Sequence, residues 1–156
     1  MADLYVLDTN VYVGALRNRD ELQLLKQFLL RAGMRVRVDG IVAMELLAGA
    51  GSTEHVDAVR ALISPYMLRD WTTAPSFAAC TEAGRLLAEL AFGKRGGRRT
   101  MAPSLANDAL LAASCRDAGA VLVTNNTADF TALQRHLRGF RFLAPWPIAI
   151  RPSTRR

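Results

Sequence analysis

Short unbroken apolar runs alternate along this chain with stretches in which apolar residues recur every three or four positions. Tyr5-Val6-Leu7 and Ala120 to Thr124 are runs of the first kind and predict strands buried on both faces. Arg35-Val36-Arg37-Val38 alternates and predicts a second strand, ending at Asp39-Gly40. Tyr66 to Trp71 predicts a third, and Arg141 to Leu143 a last one. Between them lie helical patterns. One runs from Asp8 to Arg17. Another runs from Glu21 to Arg31, with Asp20 as N-cap and Leu22, Leu25 and Leu29 on one face. Gly33 is positioned to close it. Ile41 to Gly49 predicts a compact apolar helix. Thr53 to Ser64 predicts another, stopped by Pro65. Pro75 to Phe92 predicts a long helix with Phe77, Cys80, Gly84, Leu87 and Leu90 on its buried side. Pro103 opens a helix to Asp117, and Asp129 to Leu137 predicts a short one. Strand-helix alternation of this kind predicts an α/β fold: a parallel sheet of four or five strands with helices on both faces.

The chain has 156 residues, enough for one domain with a real core. We read a single domain over residues 1–146 and a basic tail over 147–156. No apolar run approaches the ~20 residues of a membrane helix, and the start lacks a signal-peptide pattern. Both point to a soluble cytoplasmic protein without a membrane partner. Cys80 and Cys115 belong to no metal-binding spacing and read as small core residues in a reducing compartment. His55 and His136 stand among polar neighbours and read as surface residues.

Charge adds a second theme. The net charge is +6, carried by 18 Arg and 2 Lys. Arginine suits bidentate phosphate recognition. Lys94, Arg95, Arg98 and Arg99 cluster in a glycine-rich stretch from Gly93 to Met101, just before the Pro103 helix. That stretch is a candidate RNA-binding loop. Arg151, Arg155 and Arg156 add further cations near the C-terminus.

Against this basic background, four carboxylates occupy sites that do not look like solvated surface. Asp8 ends the first buried strand. Glu45 is the only charge between Asp39 and Glu54. Asp108 shares a helical stripe with Leu105, Ala112 and Cys115. Asp129 follows the Ala120 to Thr124 strand after a short turn. None has a Lys or Arg within four residues. A buried carboxylate must shift its pKa, pair with a cation or bind a metal. Carboxylates converging without basic partners suit a hard divalent ion such as Mg²⁺ or Mn²⁺. Each also has a plainer reading. Asp8 and Asp129 fit helix caps, Glu45 fits a solvated face, and Asp108 fits a pair with Arg98, Arg99 or Arg116.

These four segments resemble the PIN-domain ribonucleases, especially VapC-type toxins of toxin–antitoxin pairs. The matching pieces are Leu7-Asp8-Thr9-Asn10, Ala43-Met44-Glu45-Leu46, Asn107 to Ala113 and Val123 to Phe130, in that order. The resemblance implies a PIN-like three-layer sandwich. It implies an acidic site of Asp8, Glu45, Asp108 and Asp129 that holds Mg²⁺ or Mn²⁺, with Thr9, Asn10, Thr124 and Asn126 as supporting groups. Some relatives carry an earlier aspartate where this chain has Asn125 and Asn126, which leaves one anionic ligand fewer for a second metal. The implied activity is endonucleolytic hydrolysis of RNA to 5′-phosphate and 3′-hydroxyl ends. The implied partners are an RNA substrate, a cognate antitoxin and a second copy in a homodimer. Apolar surface on the helices from Leu22 to Leu30 and from Val56 to Ile63 fits an antitoxin groove and fits core equally well. Two rivals remain at this point. A haloacid-dehalogenase-like phosphatase also starts with a strand-end aspartate, but needs an acid where Asn10 stands. The other is a non-catalytic RNA-binding protein of the PIN fold.

Overall fold

The computed structural model describes residues 3–92 and 103–146. The basic stretch holding Lys94, Arg95, Arg98 and Arg99, and the tail over 147–156, lie outside the described residues. Five parallel strands form one sheet in the order β3-β2-β1-β4-β5: β1 (Leu4–Leu7), β2 (Val36–Asp39), β3 (Thr72–Thr73), β4 (Ala120–Val123) and β5 (Arg141–Leu143). The chain steps outward from β1 to β2 and β3, then returns to place β4 on the other side of β1. The strand order therefore reverses between β1 and β4. In open α/β sheets that switch point, at the strands' carboxyl ends, is where ligands bind.

Among the described residues seven α-helices connect the strands: α1 (Thr9–Arg17), α2 (Arg19–Ala32), α3 (Gly40–Ala48), α4 (Thr53–Leu68), α5 (Phe77–Phe92), α6 (Pro103–Asp117) and α7 (Thr127–Gln134). All four β4 residues are buried, as are three of the four in β1, which explains their unbroken apolar sequence. Register holds the site's framework in place: Leu7 pairs with Val123, and the Asp8 backbone N–H donates to the Val123 carbonyl at 2.9 Å. Tyr5 meets Phe28 of α2 edge-on, with ring centroids 5.4 Å apart.

Several local expectations differ from what forms. Helix α2 is capped by Asn18, whose side chain accepts from the N–H groups of Asp20 and Glu21. Asp20 instead joins the first turn, where its charge complements the helix dipole. Gly33 is the C-cap that closes α2, as expected, but in a right-handed conformation, and it opens a single 3₁₀ turn, Gly33–Arg35. Pro65 lies inside α4 rather than ending it. A proline removes one helical hydrogen bond, to the carbonyl four residues back. Here Ala61 and Pro65 are both exposed, so the freed carbonyl lies on a wet face. Tyr66 to Leu68 consequently belong to the helix, and Met67 and Leu68 point to solvent. The third strand shrinks to Thr72–Thr73, reached through Asp70 in a left-handed conformation (φ 55°).

Helix α5 buries Ala79, Ala83 and Leu86, with Leu87 and Leu90 beside them. Phe77 is 86% exposed and Cys80 is also exposed, so the expected stripe was set one position off at its start. Cys115 is buried as expected. His55 and His136 are exposed. Most of the proposed antitoxin surface is core: Leu22, Leu25, Leu29, Val59 and Ile63 pack inward, leaving Leu24, Leu30 and Leu62 outside. Among the described residues no helix is long and apolar enough to cross a membrane.

Candidate active site

The site grows from the carboxyl ends of β1 and β4. Asp8 directly follows β1 and occupies the N-cap of α1, yet its side chain makes no capping hydrogen bond. It turns toward β4 instead. The Thr124 hydroxyl donates to Asp8 Oδ2 at 2.6 Å, and the Asn10 amide donates to the same oxygen at 2.7 Å. Thr124 also accepts from the Asn10 amide (3.1 Å) and from the Asn126 N–H (2.9 Å), using both lone pairs. Asn10 Oδ1 accepts from the Asn125 N–H at 3.0 Å. The loop after β4 is thus stitched to the start of α1 across the switch point.

Asn126 carries the network onward. Its amide donates to Asp108 Oδ2 at 3.2 Å and to Asp129 Oδ2 at 2.9 Å. It is also the N-cap residue of α7, so Asp129 lies in the first turn rather than at the cap. On the other side, the Thr9 hydroxyl donates to Glu45 Oε2 at 2.6 Å, and the Asn107 amide donates to Glu45 Oε1 at 2.8 Å. Thr9, Asn10, Thr124 and Asn126 each donate to one or more of the four carboxylates.

Burial grades the four. Asp8 is 5% exposed, Glu45 and Asp108 are half-buried, and Asp129 is exposed. The expectation that all four avoid solvent therefore fails for Asp129. An acid in a first helical turn is stable in water because the helix dipole favours it there. None of the ion pairs among the described residues involves any of the four. Arg116 is engaged by Asp117 at 2.8 Å and Glu82 at 3.2 Å, so it is not the partner of Asp108.

The electrostatics show the four acting on one another. Burial pushes the Asp108 carboxyl up to about 7, helped by the charges of Asp8, Asp129 and Glu45 and opposed by the Asn126 hydrogen bond. Burial also raises Asp8, against its hydrogen bond from Thr124, with the Glu45 charge adding to the rise. A raised acid among like charges marks a place where a cation binds favourably. The donor set is entirely oxygen, which fits Mg²⁺ or Mn²⁺ and not a thiolate-seeking metal. Among the described residues, no three His, Cys, Asp or Glu side chains are gathered tightly enough to hold an ion alone. Mg²⁺ does not need such a cage, because it keeps several waters and takes one or two carboxylates directly.

Two residues outside the expected set belong to this framework. Asn107 holds Glu45 from α6, and its signal was a second polar residue in an apolar helix, next to Asp108. Asp39 is wholly buried at the end of β2 and caps α3. Its signal was the same strand-end position that singled out Asp8.

Comparison with known proteins fixes the lineage. The chain is 30% identical over 126 residues to the tRNA(fMet)-specific endonuclease VapC of Shigella flexneri, covering 81% of this chain and 89% of the relative. It is 33% identical over 131 residues to ribonuclease VapC2 of Haemophilus influenzae, with the same coverage of both chains. In three dimensions it is similar to the DNA-bound VapBC structure from Salmonella typhimurium, at a TM-score of 0.66 and 24% identity, over 92% of this chain and 98% of that one. A VapBC-1 structure from nontypeable Haemophilus influenzae matches at a TM-score of 0.62 and 22% identity, over 91% and 98%. The phosphatase alternative falls here, and Asn10 is accounted for as a donor to Asp8. The PIN domain model matches residues 5–135, a span that takes in all four carboxylates, and the chain belongs to the PIN-domain family.

Proposed function

We propose that this protein is a metal-dependent endoribonuclease, the toxin of a type II toxin–antitoxin pair, acting in the cytoplasm on RNA that serves translation. The observation that carries this reading is the coupling of Asp8, Glu45, Asp108 and Asp129 at the switch point of a PIN fold. Mg²⁺ or Mn²⁺ bound there supplies an activated water and neutralises charge on the attacked phosphate. The protein's own residues set the stage. Asp8 and Asp108 would be the principal ligands: burial raises both acids, and Asp108, at about 7, would exchange its proton for the metal near neutral pH. Glu45, held by Thr9 and Asn107, faces the same site and accepts the proton of the attacking water or orients it. Asp129 completes the rim, tied to Asp108 through Asn126. Thr124 and Asn10 fix the Asp8 carboxylate so that its orientation does not depend on the ion.

An acidic pocket repels RNA, so a basic surface must hold the strand. Lys94, Arg95, Arg98 and Arg99 precede the Asp108 helix in sequence and supply that charge. Neutralising Arg98 and Arg99 weakens RNA binding and flattens its salt dependence by about one unit of slope per lost phosphate contact. An unchanged salt slope removes the loop from the RNA path. A cognate antitoxin and a homodimer complete the reading, supported by family membership.

The deciding experiment incubates purified wild type and Asp8→Asn with RNA in Mg²⁺, in Mn²⁺ and in chelator. Cleavage by the wild type alone, lost in chelator and yielding 5′-phosphate ends, supports the assignment. Equal cleavage by both proteins would falsify it, and RNA binding without cleavage by either identifies a non-catalytic member.

A further inference from the structure

Asp39 is a buried carboxylate that the proposed chemistry does not use. It is 0% exposed, and among the described residues it makes no ion pair. Its oxygens are held by three donors from three elements. The Ile41 N–H of α3 donates to Oδ1 at 2.9 Å. The Thr73 hydroxyl of β3 and the Ser114 hydroxyl of α6 donate to Oδ2 at 2.8 and 2.6 Å. Capping α3 alone needs only a serine or asparagine. A carboxylate accepts at several lone-pair positions, and that capacity lets one side chain reach β3 and α6 as well.

The geometry connects this junction to the catalytic end. Helix α3 carries Glu45 and helix α6 carries Asp108. The two helices share two polar ties. Asn107 reaches Glu45, and Ser114 reaches Asp39 at the α3 N-cap. Positions 107 and 114 lie two turns apart on α6, and therefore on one face of it. The late residue of α6 meets the start of α3, and the early residue meets its far part, so the helices run in opposite directions and are tied twice along their contact. Core packing of Ala109, Leu111, Ala112, Ala113 and Cys115 holds α6 in its layer, and the two polar ties fix its angle to α3.

We propose that Asp39 is a positioning residue for the nuclease site: with Ser114 it sets the angle between α3 and α6, and hence the placement of Glu45 relative to Asp108. This rests on the ribonuclease reading for its kinetic part. It also makes a claim about the metal-binding residues that cleavage does not enter. Groups that orient metal ligands typically change affinity or activity by 10–100-fold when removed.

The test compares wild type with Asp39→Asn, Asp39→Ala and Ser114→Ala. Each is checked for folding by circular dichroism and thermal melting. The measurements are the kcat and KM for RNA, and the affinity for Mn²⁺ by calorimetry without RNA. Asn keeps an acceptor for Ile41 and lets the two hydroxyls reverse and accept from its amide. It should stay within about threefold of wild type in both kcat and Mn²⁺ affinity. Ser114→Ala should lower kcat and weaken Mn²⁺ binding by roughly 10-fold with the RNA KM unchanged, and Asp39→Ala should do so by roughly 10–100-fold. A purely stabilising role instead lowers the melting temperature and leaves folded protein with wild-type kcat and Mn²⁺ affinity; that result overturns the proposal. If Asp39→Ala does not fold, Ser114→Ala decides alone, since it deletes one hydroxyl and no charge. A wild type that binds Mn²⁺ but cleaves no RNA sinks the ribonuclease reading, and the Mn²⁺ affinities of the variants still judge the positioning role.

Discussion

Asp8 and Asp39 stand at the same grammatical position in this chain and have opposite fates. Each ends a strand of the parallel sheet, β1 and β2 being neighbours, and each is the N-cap residue of the following helix. Asp39 makes its capping bond and takes two further hydroxyl donors, so its charge is answered from three sides. Asp8 leaves its cap unmade, gathers its side-chain donors on one oxygen and feels the charge of Glu45. The local sequence, apolar strand then aspartate then helix, does not decide between the two. The surrounding donors do. One aspartate spends its hydrogen-bonding capacity on structure, while the other keeps part of it facing like charges.

The sharpest way to break this contrast is to neutralise each residue and measure both activity and stability. Asp8→Asn should reduce RNA cleavage by more than the roughly 10–100-fold that removal of a supporting group costs a metal site. It should also raise the melting temperature of the metal-free protein, because it lifts one of the charges pressing on Asp108. Asp39→Ala should do the reverse to stability. It leaves the buried Ile41 N–H and Ser114 hydroxyl without their acceptor, at about 1–3 kcal/mol each. Thr73 is half-buried and turns to water more cheaply. We expect a loss of about 3 kcal/mol, or roughly 10 °C for a chain of this size, read from denaturant and thermal melts. If both substitutions destabilise, or neither does, the two aspartates are not differently employed.

That contrast also explains what was legible in the sequence. Asp8 and Asp129 were visible because each follows a buried strand, Glu45 and Asp108 because a charge in an apolar helix needs a reason, and the convergence of all four was implied by the family resemblance. Asp39 carries the same mark, yet its partners Thr73 and Ser114 lie 34 and 75 residues away, and nothing local announces them. Asn107 was hidden in the same way, since its partner Glu45 is 62 residues away. The strands of the switch point were readable because both are buried on two faces. The third strand was not, because Tyr66 to Leu68 belong to a helix that tolerates Pro65 on its wet side, and Met67 and Leu68 are apolar but exposed there. Hydrophobicity reported the chain's composition there, not its burial.

A smaller effect tests the link between the two halves of the acidic site. Asn126 is the only side chain among the described residues that donates to both Asp108 and Asp129. Asn126→Ala should lower cleavage by roughly 10-fold, as loss of an orienting group does. Asn126→Asp removes the donor and adds a charge. Metal-free, it should be the less stable of the two variants, and Mn²⁺ should stabilise it more. Equal responses of the two variants to Mn²⁺ in a melting assay would mean that Asn126 does not face the ion.

The smallest expected effect is a pH dependence, and its sign is diagnostic. Asp108 has an ordinary value of 3.8 and is pushed up to about 7 in the folded protein. A carboxyl raised on folding binds its proton more tightly in the native state. Its contribution to stability is therefore fully present below about 4 and is lost as pH rises through about 7. Metal-free protein should thus become less stable from pH 6 to pH 8. Asp108 is only half-buried, so solvent screening reduces the ideal slope, and the loss over that interval should be about 1 kcal/mol. The informative quantity is the difference between wild type and Asp108→Asn, because it isolates this one carboxyl. That difference should vanish toward pH 4, widen as pH rises toward about 7 and level off above it. Added Mg²⁺ should act in the opposite sense, stabilising more at pH 8 than at pH 6, because the ion must displace the Asp108 proton to bind. Parallel melting curves for wild type and Asp108→Asn would mean that the carboxyl is not held up by its neighbours. The coupling among the four acids, and with it the contrast between Asp8 and Asp39, would then fail.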